Sequence, residues 1–398
     1  MSAVPAEERR ALIVLLSVIY LMIAGFGLVI PLLPFFARAF DASPGVIALL
    51  FSVFSLGQFL GEPFWGRLSD RIGRKPVLII TIGMVGVTYA GLAFAPNIYA
   101  AFAIRFLTGF FGGNISTLQG AMADITPLDR RAARMGIMGA AFSAGFMTGP
   151  AIGGFLAQPS RGALGFQLPL LAAAGFALAS ALAVVAFVRE SRPDPANRKP
   201  HRPRIEGLKE AAGHPVIGRI LAISFIVVVG FAGIESTYGL WTQARFGWGP
   251  KQVGTAFAVI GVLGAFCQGY LSGRLVRRFG APSTLMGGLA FMGLGLVTQG
   301  LAPVWPVAIL GFALVCVGQS ICFPNLTALV SQVAPPDRQG EMLGLNMSGM
   351  ALARVGGPVL AGQLFAWAVG APFAVAAVLI LPGLWFASQV RKRVHSPA

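Results

Sequence analysis

GRLSDRIGRK, residues 66–75, gathers four cations and one acid, Asp70, into ten positions. Long runs with almost no charge flank it. The whole chain of 398 residues is 56% hydrophobic and 11% charged, with a mean hydropathy of +0.76. A soluble domain carries about 25% charged residues, so the composition excludes one. The apolar residues come in blocks of about twenty, long enough to cross roughly 30 Å of hydrocarbon as helices. The fold class is therefore all-α and membrane-integral, and the charged decapeptide is a loop.

Working outward from that loop, twelve apolar blocks are expected as helices. The first six cover roughly 11–36, 45–66, 76–95, 98–122, 132–157 and 165–188. The second six cover roughly 216–242, 251–272, 283–302, 305–331, 340–366 and 371–390. Residues 189–215 are polar, basic and proline-rich, which reads as a linker between an N-terminal half, 1–188, and a C-terminal half, 216–398. The first block is about twice the length of a signal-peptide core, so it reads as a retained helix.

The formal charge of +16 sits in short loops and not on a nucleic-acid-binding face. Arg38, Arg161, Arg245 and Lys251 lie in one set of alternate loops, and Arg105 and Arg354 lie inside blocks. The remaining 24 of the 30 Lys and Arg fall in the N-terminus, the other loops, the linker and the tail. The positive-inside rule places those segments, with both termini, in the cytoplasm. Cys267, Cys316 and Cys322 lie within apolar blocks and read as packing residues. No metal-ligand cluster, cofactor motif or nucleophile–base pair is visible, so neither a metal nor a cofactor is expected, and an enzyme is not.

The loop has an echo. GRLVRRFGAP, residues 273–282, repeats G-R-L-x-x-R-x-G 207 positions later. Asp129-Arg130 and Gly149-Pro150 recur as Asp337-Arg338 and Gly357-Pro358, each 208 positions on. Registered loops and Gly-Pro pairs on one offset indicate two parallel six-helix repeats with a binding cavity between them.

These motifs resemble the twelve-helix drug:proton antiporters of the major facilitator superfamily, which include tetracycline and multidrug efflux pumps. The loop motif matches at Gly66, Leu68, Asp70, Arg71, Gly73, Arg74 and Lys75. The antiporter motif of the fifth block matches at Gly136, Gly145, Gly149, Pro150, Gly153 and Gly154, and Arg105 matches an arginine of the fourth. The resemblance implies proton-coupled efflux of small amphipathic compounds, by alternating access, across the inner (plasma) membrane. It implies a multi-pass protein, expected as a monomer, whose partners are substrate, protons and lipid. An exporter or facilitator of sugars or other metabolites is the alternative.

Positive-inside placement accounts for the loop cations but not for Asp70. With Asp124, at the end of the fourth block, Asp70 and Arg74 are expected to form an ion-pair cluster that latches the cytoplasmic side. Its counterpart in the second copy is Arg277, so the latch is one-sided. Gly145, Gly149 and Gly153 share one helical face at i, i+4, i+8 and are expected to permit close contact with a neighbouring helix.

Charges inside membrane blocks cost at least about 2.5–3.5 kcal/mol near the bilayer centre, so Glu62, Arg105, Glu235 and Arg354 each need a reason. Glu235, flanked by Phe231 and Tyr238 on one helical face, suits a lipophilic cation. Proton and cation would then compete for one carboxylate. The other reading is a structural salt bridge to Arg354. Arg354 itself departs from the family pattern, either pairing with Glu235 or meeting an anionic group of the substrate. Glu62 either takes part in coupling or reaches toward water. Arg105 is implicated in proton transfer by the resemblance, or it serves backbone carbonyls. Tetracycline pumps carry an acid in the first helix where this chain has Met22, which favours a multidrug-like pump. The rest of the cavity is expected from Gln58, Asn114, Gln119, Tyr238, Trp241, Gln268, Gln319, Asn325 and Asn346.

Overall fold

The computed structural model describes residues 6–127, 130–190, 214–335 and 339–395. All regular structure among them is helical. The long helices are α1 (Arg10–Arg38), α2 (Pro44–Ile72), α3 (Arg74–Ala93), α4 (Ile98–Asp124), α5 (Arg131–Leu156) and α6 (Pro159–Phe187). They continue with α7 (Ile217–Phe246), α8 (Pro250–Phe279), α9 (Ala281–Gly300), α10 (Trp305–Val333), α11 (Gln339–Trp367) and α12 (Ala371–His395). Eleven of these contain segments long and apolar enough to cross a membrane, against the twelve expected. The exception is α11, where Asn346, Arg354, Gln363 and several glycines dilute the apolar residues. The expected linker lies almost wholly outside the described residues, as do Asp129, Asp337 and Arg338.

The chain forms two compact units. The first comprises Met1–Ala42, Val53–Arg198 and Trp248–Gly261. Its core joins Leu15, Val18 and Ile19 of α1 to Leu78 and Ile82 of α3, Leu118 and Met122 of α4 and Val184 of α6. Glycine then lets backbones meet where lipid offers no hydrophobic drive for association. A Cβ on Gly145 would lie 2.7 Å from the Tyr20 carbonyl of α1, and one on Gly149 2.8 Å from the Leu28 nitrogen. Gly153 abuts the Leu28 carbonyl. The expected close contact of α5 is thus with α1, and a Tyr20–Thr148 hydroxyl contact of 3.1 Å joins it. Gly154 turns elsewhere, to the Pro250 carbonyl of α8 at 2.6 Å. Gly136 has no atom of the described residues within 4 Å of its Cβ position, so this motif glycine makes no close contact among them. Gly57 and Gly61 of α2 fit against the backbone of Phe106 and Phe110 in α4.

The second unit comprises Ser43–Ser52, Lys199–Gly247 and Val262–Ala398. Here α7 and α11 repeat the pairing of α1 and α5. A Cβ on Gly357, the counterpart of Gly149, would lie 2.6 Å from the Val229 carbonyl. The repeat is also visible in the backbone, but the expected loop at 66–75 shrinks to one residue, because α2 runs on to Ile72 and α3 starts at Arg74. Gly73 (φ 107°, ψ 163°) and Gly280 (φ 78°, ψ 158°) each turn the chain between two helices in a conformation that side chains exclude.

Candidate functional site

Arg74 sits between the two acids expected as its partners. Its Nη1 lies 2.7 Å from Asp70 Oδ1 and its Nε 3.4 Å from Asp124 Oδ2. Nη1 also donates to Ser69 Oγ at 2.5 Å. The guanidinium lies over Gly120, where a Cβ would come within 2.8 Å of Arg74 Cζ. Only 12% of the Arg74 side chain is exposed, against 48% of Asp70. The cluster joins α2, α3 and α4 inside the first unit. Arg71 stands exposed in the last turn of α2, where a cation complements the helix dipole. Gly66 sits beside Ser116, whose Oγ would be 3.3 Å from an added Cβ.

One residue of this loop site was not expected. Glu190, just beyond α6, accepts hydrogen bonds from the Arg74 and Lys75 amides at 2.7 and 3.4 Å. Lys75 Nζ donates to the Val185 carbonyl near the end of α6 at 2.8 Å. An anion thus serves the amide end of α3 while a cation serves the carbonyl end of α6. The Glu190 carboxylate also occupies the space a side chain at Gly73 would need. Only its place after an apolar block marked Glu190 in the sequence.

Glu62 is half-buried and has a partner inside the protein. α4 is broken at Gly113–Asn114, and Glu62 Oε1 accepts from the Ser116 amide at 3.1 Å, at the start of the Ile115–Asp124 segment. The carboxylate of α2 therefore serves an amide at a helix start inside the first unit. Asn114, expected in the cavity, is fully buried and donates to Thr81 Oγ1 at 2.9 Å. It bridges α4 to α3. Gln58 is half-buried on α2.

Arg105 is 2% exposed, with its guanidinium 4.3 Å from the centroid of the Phe54 ring. Its Nε and Nη1 have no hydrogen-bond partner among the described residues, which removes the expected service to backbone carbonyls at those atoms. A cation–π contact is the attraction the structure provides.

In the second unit, Glu235 Oε2 and Arg354 Nη1 are 3.9 Å apart, with 8% and 38% of their side chains exposed. The aromatics expected to line a cavity are packed away. Tyr238 is fully buried, its ring 4.3 Å from that of Phe312. Trp241 is 2% exposed against Phe373, at 4.8 Å. Their large apolar rings gain more from close packing than from an open face. Asn325 is also buried, donating to the Ile321 carbonyl at 2.6 Å and to Ser272 Oγ of α8 at 3.3 Å, and Asn346 is 1% exposed. Polar surface remains on Gln119 and Gln268, with Gln319 half-buried.

The Major Facilitator Superfamily model matches residues 15–281 and 269–398. The class C tetracycline resistance protein of Escherichia coli is 29% identical over 384 residues, 92% of this chain and 94% of that protein. The quinolone resistance protein NorA of Staphylococcus aureus is 28% identical, over 94% of this chain and 95% of its own length. Multidrug resistance protein 2 of Bacillus subtilis is 28% identical over 95% and 94%. Among solved structures, the human organic anion transporter MFSD10 superposes with a TM-score of 0.73 at 26% identity, covering 97% of this chain and all of that one. A bacterial homologue of the lysosomal transporter Spinster, inward-facing and unoccupied, matches in fold with a TM-score of 0.79 at 16% identity over the whole of both chains. A family match from end to end, on a multi-pass helical membrane chain with these loop and glycine motifs, establishes that this protein belongs to the major facilitator superfamily.

Proposed function

We propose that this transporter exports small amphipathic compounds across the inner (plasma) membrane in exchange for protons, by alternating access. The observation that carries the reading is Glu235. It is an almost fully buried carboxylate in the middle of α7, 18 residues from its start and 11 from its end, held at 3.9 Å from a single cation. A carboxylate at such depth costs at least about 2.5–3.5 kcal/mol, and a structural role alone would be met more cheaply by an apolar pair. The efflux pumps among its relatives support export as the direction.

In this reading α11 is the twelfth span, the halves 1–188 and 216–398 rock about their linker as a monomer, and both termini are cytoplasmic. Asp70, Arg74 and Asp124 form the cytoplasmic latch, Glu235 exchanges proton for substrate, and Arg105 assists proton movement. The test is dye efflux from cells with and without an uncoupler, comparing wild type with Glu235→Gln. Proton-driven export should vanish in the variant while protein in the membrane stays constant. Export indifferent to both uncoupler and Glu235 would sink the antiport mechanism.

A further inference from the structure

Arg354 is more than the counter-charge of Glu235. Their closest atoms, at 3.9 Å, are beyond hydrogen-bond distance, so Glu235 balances the charge without occupying the guanidinium donors. No hydrogen bond engages those donors among the described residues. Arg354 lies 15 residues into α11 and 13 from its end, yet 38% of its side chain is exposed. Leu352, 50% exposed, is two residues earlier and so about 200° around the helix. A cation facing hydrocarbon at this depth would be heavily penalised, so the exposed donors address water or a ligand. On the Arg354 face, Ala351 and the 47% exposed Met347 provide adaptable apolar surface beside the charge.

We propose that Arg354 binds the anionic group of an amphipathic organic acid, which takes the place of the Glu235 carboxylate on the guanidinium when Glu235 carries a proton. The inference rests on the export reading only for the protein's role as a transporter: an anion that binds together with the proton is a co-transported or blocking ligand of the same site, not one exchanged for the proton. An isolated guanidinium with open donors is the side chain suited to bidentate carboxylate or sulfonate recognition.

Among the described residues, Glu235 has a single charged partner, Arg354. From α11 only Arg354 faces it. The neighbouring α10 carries no acid or base, and its thiols Cys316 and Cys322 turn to Gly264 of α8 and Gly288 of α9; the Tyr238 phenol lies one turn on in α7, and α12 carries no charged residue before Arg391. Ionised Glu235 therefore competes with an incoming anion for the one cation, and protonated Glu235 does not. Anion and proton must bind cooperatively, whereas a cationic substrate and a proton must compete. By linkage, anion affinity rises as pH falls, by up to about tenfold per pH unit.

The experiment uses the full chain in lipid nanodiscs and two probes of fixed charge, 1-pyrenesulfonate and tetraphenylphosphonium, with equilibrium binding measured at pH 6 and pH 8. Wild type should bind the sulfonate more tightly at pH 6. Glu235→Gln should bind it at pH 8 as tightly as at pH 6, a gain over wild type that no misfolded protein could show. Arg354→Gln should lose sulfonate binding, and Arg354→Lys should recover part of it. A sulfonate affinity that is flat or rises with pH in wild type overturns the inference, as does undiminished binding by Arg354→Gln or unchanged binding at pH 8 by Glu235→Gln. A protein that exports a cationic dye under a proton gradient but binds no sulfonate refutes the anion site and leaves the export reading standing.

Discussion

Consider Gly149→Ala, a change of one methyl group. The new carbon would lie 2.8 Å from the Leu28 backbone nitrogen and nearer still to the Ala24 carbonyl, where ordinary contacts begin at 3.4 Å. Clearing Leu28 alone requires α5 and α1 to part by 3.4 − 2.8 = 0.6 Å, and both obstacles are backbone atoms that no rotamer change removes. Overpacking of this kind typically costs about 1–3 kcal/mol. Gly136, in the same motif, has nothing among the described residues within 4 Å and provides the internal control. Thermal unfolding of the purified protein in detergent should show Gly149→Ala destabilised and Gly136→Ala unchanged or slightly stabilised, since alanine is the better helix former. Efflux should fall in the first and persist in the second. Equal melting of wild type and Gly149→Ala would refute the claim that a backbone seam holds these helices, and equal loss in both variants would attribute the effect to the motif's sequence and not to contact.

Other outcomes follow from the same geometry. Glu190→Ala should destabilise the first unit by about 0.5–2 kcal/mol, the usual value of a helix-start acceptor, with faster hydrogen exchange at the Arg74 and Lys75 amides as the local readout. Glu190→Gln, which keeps an acceptor, should recover most of that protection. Asp70→Asn should cut efflux without loss of protein from the membrane, as judged by blotting against transport, and full activity would remove the latch. Glu62→Leu, which strands the Ser116 amide, should cost about 1–3 kcal/mol in thermal unfolding, while Glu62→Gln should cost far less.

Much of the helical layout was legible because the lipid solvent imposes it. Block length located the helices, and the repeated G-R-L-x-x-R-x-G located two turns whose glycines, Gly73 and Gly280, share one backbone conformation. The Asp70–Arg74–Asp124 cluster was readable from the family resemblance and from Asp70 standing out among the loop cations, not from helical spacing, because the Gly73 turn separates Asp70 in α2 from Arg74 in α3. What escaped was the direction of polar side chains. Asn114, Asn325 and Asn346 look alike in sequence whether they bridge helices or line a space, because the choice depends on helix tilt and on breaks such as Gly113–Asn114. Tyr238 and Trp241 escaped for the same reason. Glu190 was missed because its partners are 116 and 115 positions away in the chain, beyond the reach of any local capping rule.

That last separation has a bearing on biogenesis. The amide end of α3 is synthesised 116 residues before the carboxylate that satisfies it, a delay of roughly 6–23 s at about 5–20 residues per second. During that interval three further helices leave the ribosome while the Gly73 turn stands open. A residue three positions beyond the sixth helix thus closes the second turn of the chain, so the amide end of α3 stays without this acceptor until Glu190 arrives.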